Sequence, residues 1–133
     1  MYKSDFEHNV NLLKLYLSDN VIESLDDHSF VNNEHLTYLD LRRNRIKTLS
    51  QDIFDGLDNL KFLLLDSNNI ASIHEMAFSS LCRLVSISIS HNKIQNLSPD
   101  VFKGLHKIQY LNLAENYRVV VQKCHENNRK WPF

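Results

Sequence analysis

Residues able to do chemistry are present in this chain, but their spacing assembles no recognisable centre. The seven histidines, His8, His28, His35, His74, His91, His106 and His125, are scattered through polar stretches without an HxxxH or HExxH spacing, so they read as solvated rather than as metal ligands. The thiol of Cys124 adjoins His125, but neighbours in sequence are not the spatial nucleophile–base pair that catalysis requires. Cys82 and Cys124 have no metal-ligand spacing and are too few for a disulfide framework. Gly56 and Gly104 are the only glycines, so a glycine-rich phosphate loop is excluded, and no GxSxG elbow occurs. The expected chemistry is non-covalent, with no catalytic residue, no metal ligand and no cofactor.

Two other features carry potential chemistry. Arg42, Arg43, Arg45 and Lys47 form a basic run, for which the plain account is a solvated edge. Arg42 lies 24 residues before Asp66, so a salt bridge between the two across neighbouring units is an expectation. Asn96-Leu97-Ser98 is a glycosylation sequon, making Asn96 an acceptor if the chain passes through the secretory route. Net charge is -1, from 15 Lys and Arg against 16 Asp and Glu, and offers no electrostatic footprint for nucleic acid. No stretch approaches the roughly 20 apolar residues of a membrane span. The start, MYKSDFEHNV, is polar and unlike a signal peptide.

What positions these residues is a repeat. Leu36-x-x-Leu39-x-Leu41-x-x-Asn44-x-Ile46-x-x-Leu49, followed by Phe54-x-x-Leu57, is one 24-residue unit, and starts at 12, 36, 60, 84 and 108 share that period without insertion. Such self-similarity decides the fold ahead of any local propensity. Residues 12–116 form the array, 1–11 read as the tail of a truncated repeat because Phe6 lies 24 residues before Phe30, and 117–133 read as an irregular tail. The last unit fails where Arg118 replaces the isoleucine of the others, leaving Val119–Val121 and Trp131 either to fold back over the open end or to stay unstructured. An array that starts in mid-unit with no polar cap is expected to be a piece of a longer one.

Within each unit the alternation around Leu39 and Leu41 predicts a short half-buried strand. Successive units then stack these strands into one parallel sheet. The return segment through Ile46, Leu49 and Phe54 needs more room than the strand and bends the stack, placing the strands on the concave side. Asn20, Asn44, Asn68, Asn92 and Asn116 are expected to bond the backbone of adjacent turns, and Phe30, Phe54, Phe78 and Phe102 to stack as a convex spine. Gly56 and Gly104 fill the same slot and predict a tight turn before the next strand. Asn33 stands where the other units carry Leu57, Leu81 and Leu105.

This pattern resembles the typical 24-residue leucine-rich repeat of extracellular receptors and matrix proteins, the class of relaxin-receptor-like, Slit, Toll and small proteoglycan ectodomains. The resemblance spans residues 12–116 and implies an α/β solenoid with a curved parallel sheet on its concave face and loops and short helical turns on its convex face. It also implies a non-catalytic module that binds a protein or peptide ligand, in a parent that is extracellular or at the cell surface. The flanking cysteine caps of that class are missing here. A structural matrix or scaffold array, and a specificity module of a multi-domain protein, are alternative readings.

Outward strand positions are individual to each unit. One column reads Lys14, Tyr38, Phe62, Ser86 and Tyr110, and the next reads Tyr16, Asp40, Leu64, Ser88 and Asn112. The inward slots being taken, Phe62 and Leu64 have no core reason to be apolar. The expected partner-binding residues are Tyr16, Tyr38, Asp40, Arg42, Phe62, Leu64, Asp66 and Tyr110.

Overall fold

The computed structural model describes residues 1–2, 4–117 and the strand at 120–121. Arg118, Val119, Cys124, His125 and Trp131 lie outside the described residues, so the readings made of them have no structural counterpart here.

Five strands form one parallel sheet in the order β1 (Lys14–Tyr16), β2 (Tyr38–Asp40), β4 (Phe62–Leu64), β6 (Ser86–Ser88) and β8 (Tyr110–Asn112). The register advances by one unit at every step: Leu15 pairs with Leu39, Leu39 with Leu63, Leu63 with Ile87 and Ile87 with Leu111. Three-residue strands cannot hold a sheet by themselves. They persist because the inward side chains of each unit are covered by the next, and Leu39, Leu63 and Ile87 have no exposed surface. Burying each of them contributes roughly 1.5–3 kcal/mol.

The return path carries a second, narrower ladder. β3 (Thr48–Leu49) pairs with β5 (Ser72–Ile73), and β7 (Asn96–Leu97) pairs with β9 (Val120–Val121). The β7–β9 pairing matches Asn96 to Val120, so the repeat register persists into the segment read from sequence as irregular. The rest of the return path consists of single hydrogen-bonded turns, such as Asn33 N–H to Phe30 O at 2.9 Å and Leu81 N–H to Phe78 O at 3.0 Å. The expected helical turns take this form, and no helix occurs among the described residues. Beneath them runs the phenylalanine spine. Phe54, Phe78 and Phe102 stack at 6.0 Å per step with rings within 13° of parallel, and Phe6 stacks on Phe30 at 6.2 Å.

The asparagine ladder closes the turn after each strand. Asn68 donates to Leu65 O of its own turn and to Leu41 O of the preceding unit, while its Oδ1 accepts from the Ile46 N–H at 3.1 Å. Asn44, Asn92 and Asn116 repeat this set one unit apart. Each amide therefore spends both donors and its acceptor on backbone groups that would otherwise be orphaned. Such groups cost on the order of 1–3 kcal/mol when left unpaired. The residue before each asparagine adopts the left-handed backbone: Asp19, Arg43, Ser67, His91 and Glu115 have φ of 52–60°. None is a glycine, so every unit accepts a strained residue, at roughly 1–2 kcal/mol each, to aim its asparagine inward.

Candidate functional site

The outward columns stand where alternation along the strands places them, on the open face of the five-stranded sheet. Strand pairing brings Lys14, Tyr38, Phe62, Ser86 and Tyr110 into one row, and Tyr16, Asp40, Leu64, Ser88 and Asn112 into the next. Tyr16, Tyr38 and Phe62 form a continuous aromatic ladder, with ring centroids 5.1 Å and 6.1 Å apart and planes tilted by 41° and 44°. Tilted rings at these separations attract edge to face. Tyr16 is 61% exposed, Phe62 41% and Tyr110 54%, whereas Tyr38 and Leu64 are half-buried. Burial raises the Tyr38 phenol above its usual range, and the neighbouring Asp40 charge adds to it. That ring is therefore neutral at physiological pH.

Asp40 departs from the expectation of an exposed contact residue, its side chain being only 2% exposed. Arg42, two residues beyond the end of β2, folds back and binds Asp40 with two parallel bonds, Nη2 to Oδ2 at 2.7 Å and Nε to Oδ1 at 2.9 Å. The Arg42 backbone N–H also donates to Asp40 Oδ1, at 3.1 Å. Burial pushes the Asp40 carboxyl up, but the Arg42 hydrogen bonds and charge outweigh it and hold the group below the usual carboxylate range.

The expected salt bridge from Arg42 to Asp66 does not form. Asp66 leans toward the following unit instead. Its Oδ1 accepts from the Ser88 hydroxyl, from the Ser90 N–H at 2.9 Å and from the Ser90 hydroxyl at 2.6 Å. Ser88 Oγ in turn accepts from Asn112 Nδ2 at 3.1 Å. The shared column was legible in the sequence, but the reach of Arg42 back to Asp40, aided by its own backbone N–H, was not.

Of the rest of the basic run, Arg43 and Lys47 pair with acids of the preceding unit, while Arg45 is exposed and has no ion pair among the described residues. Arg43 Nη2 bonds Asp19 Oδ2 at 2.7 Å, and Lys47 lies 3.7 Å from Glu23. The Arg43 hydrogen bonds and charge lower the Asp19 pKa. These pairs are solvent-exposed, so the run is a solvated edge rather than a basic patch.

Asn96 is exposed on β7, outside the five-stranded sheet, and Cys82 is an exposed thiol. Among the described residues no group of three or more His, Cys, Asp or Glu side chains could hold a metal ion. No helix among them is long and apolar enough to cross a membrane. Ser86 and Ser88 were legible as outward positions, but not that they and Ser90 make every outward position of one unit a small hydroxyl. Their signal was the SISIS run itself.

Comparison with known proteins places these features in context. The family model described as leucine rich repeat matches residues 10–70 and 59–117. The Toll–Spatzle complex, a hub in Drosophila development and innate immunity, contains a chain 33% identical, with a TM-score of 0.82 over 86% of this chain. The leucine-rich repeat domain of APL1B is 28% identical, with a TM-score of 0.76 over 86%. A chain of the TLR13–ssRNA13 complex is 27% identical, with a TM-score of 0.64 over 83%. The present chain spans only 17%, 34% and 19% of the lengths of these three.

Proposed function

The chain belongs to the leucine-rich repeat family, and from that premise we propose that it is a non-catalytic recognition module that binds a protein or peptide ligand through its concave sheet. The observation that carries this reading is the aromatic ladder of Tyr16, Tyr38 and Phe62, exposed at Tyr16 and Phe62. Rigid aromatic rings bury large areas at little entropic cost, and they dominate the energetics of protein interfaces. The core does not need them, because Leu15, Leu39 and Leu63 fill the inward slots of the same strands.

The Toll neighbour is named in complex with the protein Spatzle and the TLR13 neighbour with an RNA. The face of the present chain favours the former kind of ligand. Among the described residues, the cation at the centre of that face, Arg42, is already bound by Asp40, and Asp66 adds negative charge beside it. A phosphate backbone would meet no free basic row there. The kinship supports an extracellular or cell-surface parent. In such a setting a glycan on Asn96 would project outside the concave sheet and leave that face clear.

The test is a selection from a displayed random-peptide library on the immobilised chain, with each binder re-measured on Tyr38→Ala, Phe62→Ala and a convex control, Met76→Ala. Binding should weaken about tenfold, or 1.4 kcal/mol, on the first two and not on the third, with thermal midpoints unchanged. Peptides indifferent to both concave substitutions would remove this reading. An equal loss of stability would make the rings core residues.

A further inference from the structure

The unit built on β6 breaks the concave face. Its outward residues are Ser86, Ser88 and Ser90, whereas the units on either side present Phe62 and Tyr110 at the level of Ser86. Phe62 and Tyr110 are both exposed, and Ser86 between them is half-buried. They stand two strands apart, about 9.6 Å at the usual strand separation. An alkyl chain in contact with both rings needs roughly 7–8 Å, so the gap admits one side chain. Together the two rings and Ser86 form an aromatic-walled notch with a hydroxyl floor.

One step along the strand the notch ends at a carboxylate. Asp66 is drawn over β6 by the hydroxyls of Ser88 and Ser90, which hold its Oδ1 in place. Its Oδ2 accepts no hydrogen bond from the described residues, and no cation among them lies within ion-pair distance of it. Arg42, the nearest candidate, is bound to Asp40. A carboxylate held in place, with no ion-pair partner among the described residues, thus terminates a slot flanked by two exposed aromatic side chains.

We propose that this notch receives a basic side chain, an arginine or lysine, from the protein ligand. The inference rests on the concave-face reading above and gives that ligand its chemistry. The alkyl stem lies over Ser86 between Phe62 and Tyr110, where its methylene groups gain apolar contact with the two aromatic side chains. The charged head reaches Asp66 Oδ2, a charge-assisted bond. Ser86 and Ser88 are two residues apart, roughly 6.6 Å along the strand, which an extended basic side chain spans. Small side chains on the β6 unit are what this arrangement needs, because a bulky residue at Ser86 would fill the slot.

The same peptide-library selection tests the notch through the composition of its binders and through Asp66→Asn and Ser86→Tyr. The expected result is a basic residue enriched at one position, with affinity at least tenfold weaker on either variant and on replacing that residue by citrulline or norleucine. Asp66→Asn keeps an acceptor for Ser88 and Ser90 while removing the charge. Ser86→Tyr fills the slot at a position outside the core and guards against a folding artefact in the first variant. Binders that depend on Tyr38 and Phe62, but lack a basic residue or tolerate both notch variants, would overturn the notch and leave the concave-face reading standing. Binders indifferent to all four substitutions, or a selection that enriches none, would overturn both.

Discussion

Arg42 holds Asp40 from two residues further along the same chain segment, through Nη2–Oδ2 at 2.7 Å and Nε–Oδ1 at 2.9 Å. The pair buries the carboxylate while the guanidinium stays 36% exposed, so the concave face shows the arginine and hides the acid. The same contact releases Asp66 from its expected partner. One ion pair within a single unit therefore sets the charge pattern of the central units.

Against the upward push of burial, Arg42 holds the Asp40 carboxyl below the ordinary aspartate value of 3.8, so the folded state favours the ionised form. Its contribution to stability is therefore fully present above pH 3.8 and is lost as pH falls through the lower folded value. Asp40→Asn is expected to cost about 1.5–3 kcal/mol at pH 7, the range for hydrogen bonds to a charged group. Urea unfolding across pH 2–7 should show the two proteins converging at the acid end. Asp19, also depressed but with an exposed side chain, serves as the control, and its Asn variant should change stability far less. A constant gap between Asp40→Asn and the parent across the whole range would show that packing, and not ionisation, carries the effect.

Gly56 and Gly104 fill the same slot of the repeat, yet the backbone distinguishes them. Gly56 has φ of +87°, and a Cβ there would meet Val31 Cα at 2.5 Å and Phe30 O at 2.8 Å. At Gly104 the nearest atom to such a Cβ is Ser79 O, at an ordinary 3.7 Å. Gly56→Ala is thus expected to destabilise by about 1–3 kcal/mol through overpacking against main chain that cannot turn aside. Gly104→Ala should be neutral, or stabilising by up to about 1 kcal/mol through the unfolded state. Thermal denaturation of the two variants decides it, and equal losses would contradict the geometric distinction.

How far the sequence was legible depends on which features repeat. Leu39, Leu63 and Ile87, the asparagine ladder from Asn44 to Asn116 and the Phe54–Phe78–Phe102 stack recur at one period, so one packing solution serves these units and the spacing dictates it. Among the described residues Asn20, in the first unit, bonds only Leu17 O and Ser18 O of its own turn. What a side chain does within an outward slot is not periodic. Asp40 was expected at the surface and is buried, because Arg42 bends back instead of reaching across to Asp66. The left-handed residues Asp19, Arg43, Ser67, His91 and Glu115 share no residue type, and only the backbone reveals them as a column. Gly56 and Gly104 read alike for the opposite reason: one residue type serves two local backbones.

Asn33 departs from the leucine of its equivalents in a buried scaffold slot, and its surroundings predict the outcome of restoring the pattern. It is buried at 1% exposure in the slot that Leu57, Leu81 and Leu105 fill in other units. Its Nδ2 donates to Phe6 O at 3.2 Å and to Asn9 O at 3.0 Å, while its Oδ1 is buried without a hydrogen-bond partner. The two carbonyls do not depend on it, since Asn9 N–H bonds Phe6 O and Leu12 N–H bonds Asn9 O. Replacing the amide with leucine therefore orphans no backbone group, removes an unpaired buried acceptor and adds apolar contact beside the core. Asn33→Leu is expected to raise stability by about 1–3 kcal/mol, the range set by an unsatisfied buried polar group. The rise should appear as a higher urea midpoint with an unchanged slope. A lower midpoint would mean that the bonds to Phe6 and Asn9 anchor the first turns of the chain more strongly than leucine packing replaces. Asn33→Ala separates the two contributions, since it loses both the bonds and the volume and should fall below the parent.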